Sequence, residues 1–330
     1  MTSTDFNFFP SASRADALLI DMHRSLYRSL LHIQSAASEA GHPLSEELEE
    51  PILRLQKGDR LDAMAFADYN QMVDAIIEDR YDDAHKFAKQ IKAVPAASSD
   101  LRILRFEDPK SDALSGSFAS QIDLEYYGIA PVSEADSSEY ARRVKIGFDT
   151  LATVDEGLSD EVRILVNTVM IAAENLEQPS EVSFGGGSIF SMPGLLFLNV
   201  NQPSERLDMI EVLAHESAHS LLFGFCIDEP FTKNDPNATY QSPLRRDPRP
   251  MEGIYHATFV SARMSYAMDI AAQSEVLTQD ERAAAKEMAE ADAKHFYNGL
   301  DEINEQGELS ETGVALLQGA KSFMDARKAA

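Results

Sequence analysis

Apolar positions recur at intervals of three and four between residues 13 and 94, the spacing of a buried helix face. One stripe of this kind is formed by Leu19, Met22, Leu26, Leu30 and Ile33. The turn-forming sequence Gly41–Pro43 should end this first helix. The pattern then predicts a second helix over residues 45–56 and a third from 61 to about 92.

The next part of the chain changes its pattern several times. Residues 101–106 alternate between apolar and polar, which predicts a short strand, and residues 108–123 have the composition of a loop. Helical spacing returns over residues 139–154 and 160–176, with Ser159 placed to cap the second of these helices. The N-terminal half is therefore expected to be mostly helical.

Strand signals reappear between residues 181 and 201. Val182–Phe184 and residues 194–200 are short apolar runs on either side of a Gly185–Gly187 turn, which predicts strand, turn and strand. A helix should follow over residues 205–223, and Gly224 suits its end.

The C-terminal part is predicted to be a long loop followed by helices. Residues 228–250 form a proline- and arginine-rich stretch that is too long for a plain connector and is therefore expected to line a site. Helices are predicted over 251–272, from the capping box of Thr278 and Glu281 onward, and over 312–328. No internal repeat interrupts this order.

These elements predict an α+β protein that is mainly helical, with a small β-sheet next to the helix over residues 205–223. We expect an N-terminal helical lobe over residues 1–178 and a second lobe over residues 179–330, as parts of one compact unit. The 330 residues and their 44% apolar content suffice for a large core.

Charge and cysteine content narrow the possible functions. A formal net charge of -26 argues against nucleic acid as a partner, since phosphate binding needs a basic surface, whereas a basic peptide remains a suitable partner. The single cysteine, Cys226, excludes an intramolecular disulfide, fits a reducing cytoplasm and reads as a small core residue. The sequence has no long apolar segment that would form a membrane span or a signal peptide, so we expect a cytoplasmic protein. The sequence does not indicate its oligomeric state.

One motif specifies chemistry. His215 and His219 belong to an HExxH sequence within the predicted helix over residues 205–223. Two histidines four apart share a helix face, so their ring nitrogens can converge on one divalent metal, as in zincins. The alternative, two polar residues without a ligand, is costly in this apolar sequence context.

A zinc protease is the default interpretation of this motif. Glu216 would be the general base that activates water on Zn(II), and a third protein ligand would complete the site. The third ligands of the common zinc-protease patterns are absent. The remaining candidates are His256, Glu252 and Glu229. We favour His256, because a third imidazole makes a compact three-nitrogen site, and keep Glu252 as the alternative.

The loop between the two helices favours a different chemistry. Arg245, Arg246 and Arg249 occupy three of five consecutive positions in an otherwise acidic protein. Guanidinium groups near a metal suit bidentate capture of a carboxylate, such as that of an α-keto acid that chelates Fe(II). The alternative is pairing with local acids: Asp228, Asp235 or Asp247.

Four sequence elements in order resemble one known family. They are Ser191–Gly194, His215–His219, Ser242–Pro250 and Gly253–Val260, within residues 185–263. This part of the chain resembles the HExxH-type peptide-modification family of ribosomal-peptide natural product biosynthesis. That family includes α-ketoglutarate-dependent peptide β-hydroxylases.

The resemblance implies that Fe(II) is held by His215, His219 and His256, and that α-ketoglutarate and O2 are consumed to hydroxylate the β-carbon of a residue in a precursor peptide. Glu216 then accepts a hydrogen bond near the metal instead of acting as a base. The expected carboxylate partners are Arg245, Arg249 and Arg246. Zinc-dependent peptide hydrolysis and peptide binding without catalysis are the other hypotheses.

Overall fold

The computed structural model describes residues 5–108, 112–177, 180, 184–244 and 247–329. In this part of the chain, helices account for 62% of the structure. The helices are α1 (Ala12–Glu39), α2 (Ser45–Gln56), α3 (Met64–Ile77), α4 (Tyr81–Ala93), α5 (Asp112–Ala119), α6 (Glu134–Val154), α7 (Glu156–Leu165), α8 (Arg206–Phe225), α9 (Met251–Gln273), α10 (Gln279–Gln306) and α11 (Glu311–Ala329).

A small mixed sheet completes the secondary structure. Its strands are β1 (Arg102–Arg105), β2 (Ile129–Ala130), β3 (Val166–Glu174), β4 (Gly186–Ser188) and β5 (Gly194–Asn199). The strand order is β1-β3-β5-β4, and β2 pairs with the end of β3. β1, β3 and β5 are parallel, whereas β2 and β4 run antiparallel to their neighbours. The predicted α+β class, mainly helical with a small sheet, is confirmed.

The chain forms two compact units, and each is assembled from separate stretches of sequence. Unit 1 comprises residues 1–15, 142–162 and 204–330, and unit 2 comprises residues 16–141 and 163–203. This division differs from the sequential one, 1–178 and 179–330, that the sequence suggests. Unit 1 contains α8 to α11 and the first turn of α1, whereas unit 2 contains the rest of α1, α2 to α5 and the whole sheet.

The prediction of one helix over residues 61–92 is wrong, because the chain turns between α3 and α4. Asp79 has a φ of 58°, which lies in the left-handed region and ends a helix. The amide of Arg80 donates to the carbonyl of Ala75 at 2.7 Å, closing the last turn of α3. The predicted loop over residues 108–123 contains α5, which buries Leu114 and Phe118.

The predicted helix over residues 160–176 is also wrong, since α7 ends at Leu165 and β3 follows at once. β3 lies between β1 and β5, and most of its side chains are buried. A continuous apolar run fits a buried strand or a buried helix equally well, so its pattern could not decide. The β-branched residues Val166, Thr168, Val169 and Ile171 favour the strand.

Of the two strands predicted before α8, the second is present as β5. The first predicted strand, residues 182–184, lies mostly outside the described residues. The predicted glycine turn contributes to β4, which pairs with β5. A Cβ on Gly187 would lie 2.4 Å from the Phe197 ring, so this pairing requires glycine. β5 is an interior strand with partners on both sides.

Unit 1 is built from packed helices. α8 begins with a capping box of Glu205 and Asp208, and α9 packs against both α8 and α10. The predicted capping box of Thr278 and Glu281 is confirmed at the start of α10. Arg206 on α8 donates to both oxygens of Glu281, which joins the starts of the two helices.

Among the helices of the described residues, none combines the length and the apolar character that crossing a bilayer requires.

Candidate metal centre

α8 brings the two histidines of the HExxH motif together on one face. The Nε2 atoms of His215 and His219 lie 3.2 Å apart. Two nitrogens at this separation subtend an angle of roughly 100° at a metal that lies about 2.0–2.1 Å from each of them. The apolar residues Leu213, Ala214 and Ala218 of the same helix are fully buried, which holds the helix in place. On distance, this pair fits a shared metal ion.

His256 enters the cluster from α9. Its Nδ1 atom lies 3.1 Å from Nδ1 of His219, and the two rings stack with centroids 5.4 Å apart. His219 therefore lies between His215 and His256 and presents a different nitrogen to each. As the rings stand, no three histidine, cysteine or carboxylate groups of the described residues surround a common metal position. The three imidazole rings of the predicted site instead lie in a row, with His219 in the middle.

The far nitrogen of His215 contacts α9. Nδ1 of His215 lies 3.0 Å from the thioether sulfur of Met264. A thioether is only an acceptor, so this contact favours the tautomer with the proton on Nδ1. Nε2 is then the unprotonated nitrogen, and it is the one that faces His219.

Glu252 is already engaged by the chain that precedes α9. Its carboxylate accepts from the amides of Phe231 and Thr232, and from the Thr232 hydroxyl at 2.9 Å. One oxygen also lies 3.9 Å from Nε2 of His256. Burial lowers the pKa of His256 to about 4, so its imidazole is neutral at pH 7, as a metal ligand must be.

Glu216 lies directly beside the first histidine. Its side chain is buried, and Oε1 lies 3.9 Å from Nε2 of His215. The predicted residue is therefore at the cluster, where a carboxylate can accept a proton or a hydrogen bond. Glu229, the last of the candidate ligands, instead accepts from the amide of Thr312.

Aromatic rings surround His256. The ring centroids of Phe223 and Phe231 lie 5.8 and 5.7 Å from that of His256. Phe231 is fully buried and stacks on Tyr255 at 4.7 Å. Such an apolar shell limits the access of water and lowers the local dielectric constant.

Of the predicted arginines, Arg245 and Arg246 lie outside the described residues. Arg249 pairs with Asp247 at 2.6 Å, which is the local pairing that the sequence left open. Its Nε is nevertheless buried and has no hydrogen-bond partner. Two backbone hydrogen bonds between Arg249 and Tyr240 close the loop just before α9.

Sequence reasoning missed two buried carboxyl groups on or near α8. Glu211 precedes His215 by one helical turn, and burial together with Asp208 raises its pKa to about 7. Asp292 on α10 is buried, and burial with the charge of Glu211 raises its pKa to about 8. The four-residue spacing could have indicated Glu211, whereas Asp292 and Met264 carry no sequence signal.

Cys226 follows α8 directly and behaves as a thiol, not as a thiolate ligand. Burial is the main reason that its pKa rises to about 12, and the charge of Glu252 adds to the shift. Cys226 is only half-buried, which differs from the predicted small core residue, but its raised pKa disfavours a thiolate ligand.

No protein-family model matches the chain, and no curated protein is significantly similar to it.

Proposed function

We propose that this protein is an Fe(II)- and α-ketoglutarate-dependent dioxygenase that hydroxylates the β-carbon of a side chain in a ribosomally made precursor peptide. The observation that carries the proposal is the pair of Nε2 atoms of His215 and His219, 3.2 Å apart, with His256 adjacent on the other side of the His219 ring at 3.1 Å. The resemblance of residues 185–263 to the HExxH-type peptide-modification family supports the choice of reaction.

The proposed reaction conserves atoms and electrons. One oxygen atom of O2 ends on the β-carbon and the other in succinate, while α-ketoglutarate loses CO2 and is oxidised together with the peptide. Bound by the three histidines, Fe(II) would supply the redox chemistry that O2 requires. The protein's own groups orient the ligands and exclude water.

His256 is a better third ligand than Glu252. Glu252 already accepts three hydrogen bonds that hold Phe231 and Thr232, so metal binding would disrupt this structure. His256 is neutral and close to His219. Glu252 then acts as the carboxylate near the far nitrogen of His256, an arrangement that orients metal-bound histidines in other proteins.

Arg249 is the described residue that best suits the distal carboxylate of α-ketoglutarate. Its unpartnered buried Nε supplies one donor, and exchange of Asp247 for the ligand carboxylate would supply a second. The roles of Arg245 and Arg246 in this binding remain predictions from the sequence.

A peptide substrate is supported by the resemblance and by the net charge of -26, which suits a basic leader or core segment. Strand addition along β5 is an unsuitable mode of binding, because β4 and β3 already pair with both of its edges. β4 is the outer strand on that side of the sheet.

A zinc metallopeptidase is the second candidate, and the position of Glu216 favours it. Oε1 lies 3.9 Å from Nε2 of His215, so a water molecule on a zinc ion held by that nitrogen would be near the carboxylate. In this reaction Glu216 would accept the proton of that water. The two candidates therefore assign different roles to the same carboxylate.

The decisive experiment begins with the full chain, reconstituted anaerobically with Fe(II). Addition of α-ketoglutarate should produce the visible charge-transfer band of an α-keto acid chelated to Fe(II), without any peptide present. Admission of O2 should then release succinate, and a substrate peptide should gain the mass of one oxygen atom. If no band forms and no succinate is released, the dioxygenase proposal is wrong.

Variants distinguish the roles of the residues. His256→Gln should lose the band and bound iron, whereas His32→Gln, at an exposed histidine of α1, should leave both unchanged. If the His256→Gln variant retains stoichiometric iron and the Glu252→Gln variant loses it, then Glu252 is the third metal ligand instead of His256. Zinc-supported peptide cleavage that Glu216→Gln abolishes would establish the metallopeptidase instead.

A further inference from the structure

A second candidate site lies in unit 2, in a groove between α3, α4 and α5. The groove has a volume of about 440 Å³, which is within the range of small-ligand sites. Its lining includes Asp68, Lys86, Phe87, Gln90, Asp112 and Ser117. Side-chain amides of Gln71 and Gln121 connect α3 with the end of α5 and the turn that follows it.

Asp68 is the unusual member of this lining. The residue is only 7% exposed, and within the described part of the chain it has neither a hydrogen-bond donor nor an ion-pair partner, although its carboxylate oxygens keep some contact with solvent. Burial alone raises its pKa to about 6, so most of the carboxyl is ionised at neutral pH. A buried carboxylate without a partner costs stability, and in most proteins such a group is paired.

The rest of the groove is suited to a cation on an apolar stem. Phe87 presents an aromatic ring, and Gln90 and Ser117 add neutral polar groups. Asp112 is a second carboxylate in the lining and is exposed. Lys86 is the basic residue of the lining; its ammonium lies 5.7 Å from the Phe87 ring and does not pair with Asp68. A carboxylate and an aromatic face together are typical of sites for ammonium and guanidinium groups.

We propose that this groove binds the side chain of a lysine or arginine residue of a peptide, with the cation paired to Asp68 and the stem against Phe87. The negative charge of the whole chain, -26, raises the local concentration of such ligands. This site is independent of the histidine cluster, which belongs to unit 1.

Two variants distinguish the effect of the charge of the groove on binding from the effect of its open volume. Asp68→Asn removes the charge with little change of shape. Gly116→Leu retains the charge and adds a bulky side chain to the lining, at a position where a Cβ meets no atom within 4 Å. Asp74→Asn is the matched control, because it removes one charge from an exposed position of the same helix that is not part of the lining.

The test is calorimetric titration of the full chain at pH 8 with the peptide acetyl-Gly-Lys-Gly-amide. The same peptide with an acetylated lysine side chain, the arginine peptide and n-butylamine are the comparison ligands. Loss of a hydrogen-bonded ion pair should weaken binding on the order of tenfold to a hundredfold. We expect this loss for Asp68→Asn, for Gly116→Leu and for the acetylated peptide, but not for Asp74→Asn.

The result at lower pH is an additional check. Lys86 and Asp112 are the other charged groups of the lining, and protonation of Asp68 should weaken binding of the lysine peptide at pH 5. Equal binding of the charged and acetylated peptides would overturn the proposal. Equal weakening by Asp68→Asn and Asp74→Asn would also overturn it, because it would reveal attraction to the overall charge. If butylamine binds tightly and the lysine peptide does not, the ligand of the groove is a free amine, and the proposed peptide is wrong.

Discussion

Burial of the Asp68 carboxylate lowers the stability of the folded state. No described residue donates a hydrogen bond to this carboxyl, and its pKa is raised from 3.8 to about 6 because burial disfavours the charged form. The unfolded chain releases this proton near pH 4, whereas the folded protein holds it until about pH 6. The folded state therefore loses stability as the pH rises through this interval, and the loss remains at higher pH.

Asp68→Asn should remove this pH-dependent loss. We expect the free energy of unfolding of the variant to exceed that of the unmodified protein by up to about 3 kcal/mol at pH 8, since one pKa unit corresponds to about 1.36 kcal/mol. The difference should be much smaller at pH 4. Urea unfolding at both pH values measures it, with Asp74→Asn as the control. A difference that is the same at both pH values would contradict the assignment.

At the scale of elements, glycine allows α9 and α10 to approach closely. A Cβ on Gly299 of α10 would lie 2.0 Å from the Thr258 hydroxyl oxygen of α9. The hydroxyl is fixed by its bond to the carbonyl of Ile254 at 2.8 Å, so it cannot easily move. The close contact also determines the position of α9, which carries His256 and Met264.

Gly299→Ala should therefore destabilise the protein by about 1–3 kcal/mol, the usual cost of overpacking. The matched variant Gly116→Ala on α5, where no atom lies within 4 Å, should instead stabilise it by about 0.5–1 kcal/mol through helix propensity. Thermal unfolding of both variants tests the pair. Equal shifts of the midpoint in the same direction would show that packing at Gly299 is unimportant.

At the scale of the whole molecule, a buried ion network holds the N-terminal segment of unit 1. Glu161 accepts from the amide of Ser11 and from the guanidinium groups of Arg14 and Arg263. Arg263 is fully buried and also donates to the carbonyl of Phe8 at 2.8 Å. Residues distant in sequence are thereby connected to α9.

Glu161→Gln should leave two buried guanidinium groups without a carboxylate and cost about 3–5 kcal/mol. Asp160→Asn, at an exposed position of the same helix, should change the stability by no more than about 0.5 kcal/mol. Chemical denaturation gives the free energies, and limited proteolysis reports release of residues 5–11. A stable Glu161→Gln protein with a protected N-terminal segment would refute the role of this network.

The sequence predicted that His215 and His219 are neighbours and proposed His256 as the third ligand, but it could not show that His256 lies beside them. Four-residue spacing on a helix brings His215 and His219 together because helix geometry is local. His256 is 37 residues from His219 in the sequence, and only the packing of α9 against α8 brings their rings within 3.1 Å. Met264 reaches His215, and Asp292 comes near Glu211, through packing alone, so no local pattern indicates them.

The sequence by itself determined the helical class, the capping box of α10, the helices α2 and α9 almost to the residue, and the shared helix face of His215 and His219. Each of these depends on residues within a few positions of one another. Only the tertiary structure decided that residues 166–174 form the central strand and that Asp68 is buried without a partner. Both outcomes depend on contacts with residues that are distant in the sequence, and a local pattern of apolar residues cannot predict such contacts.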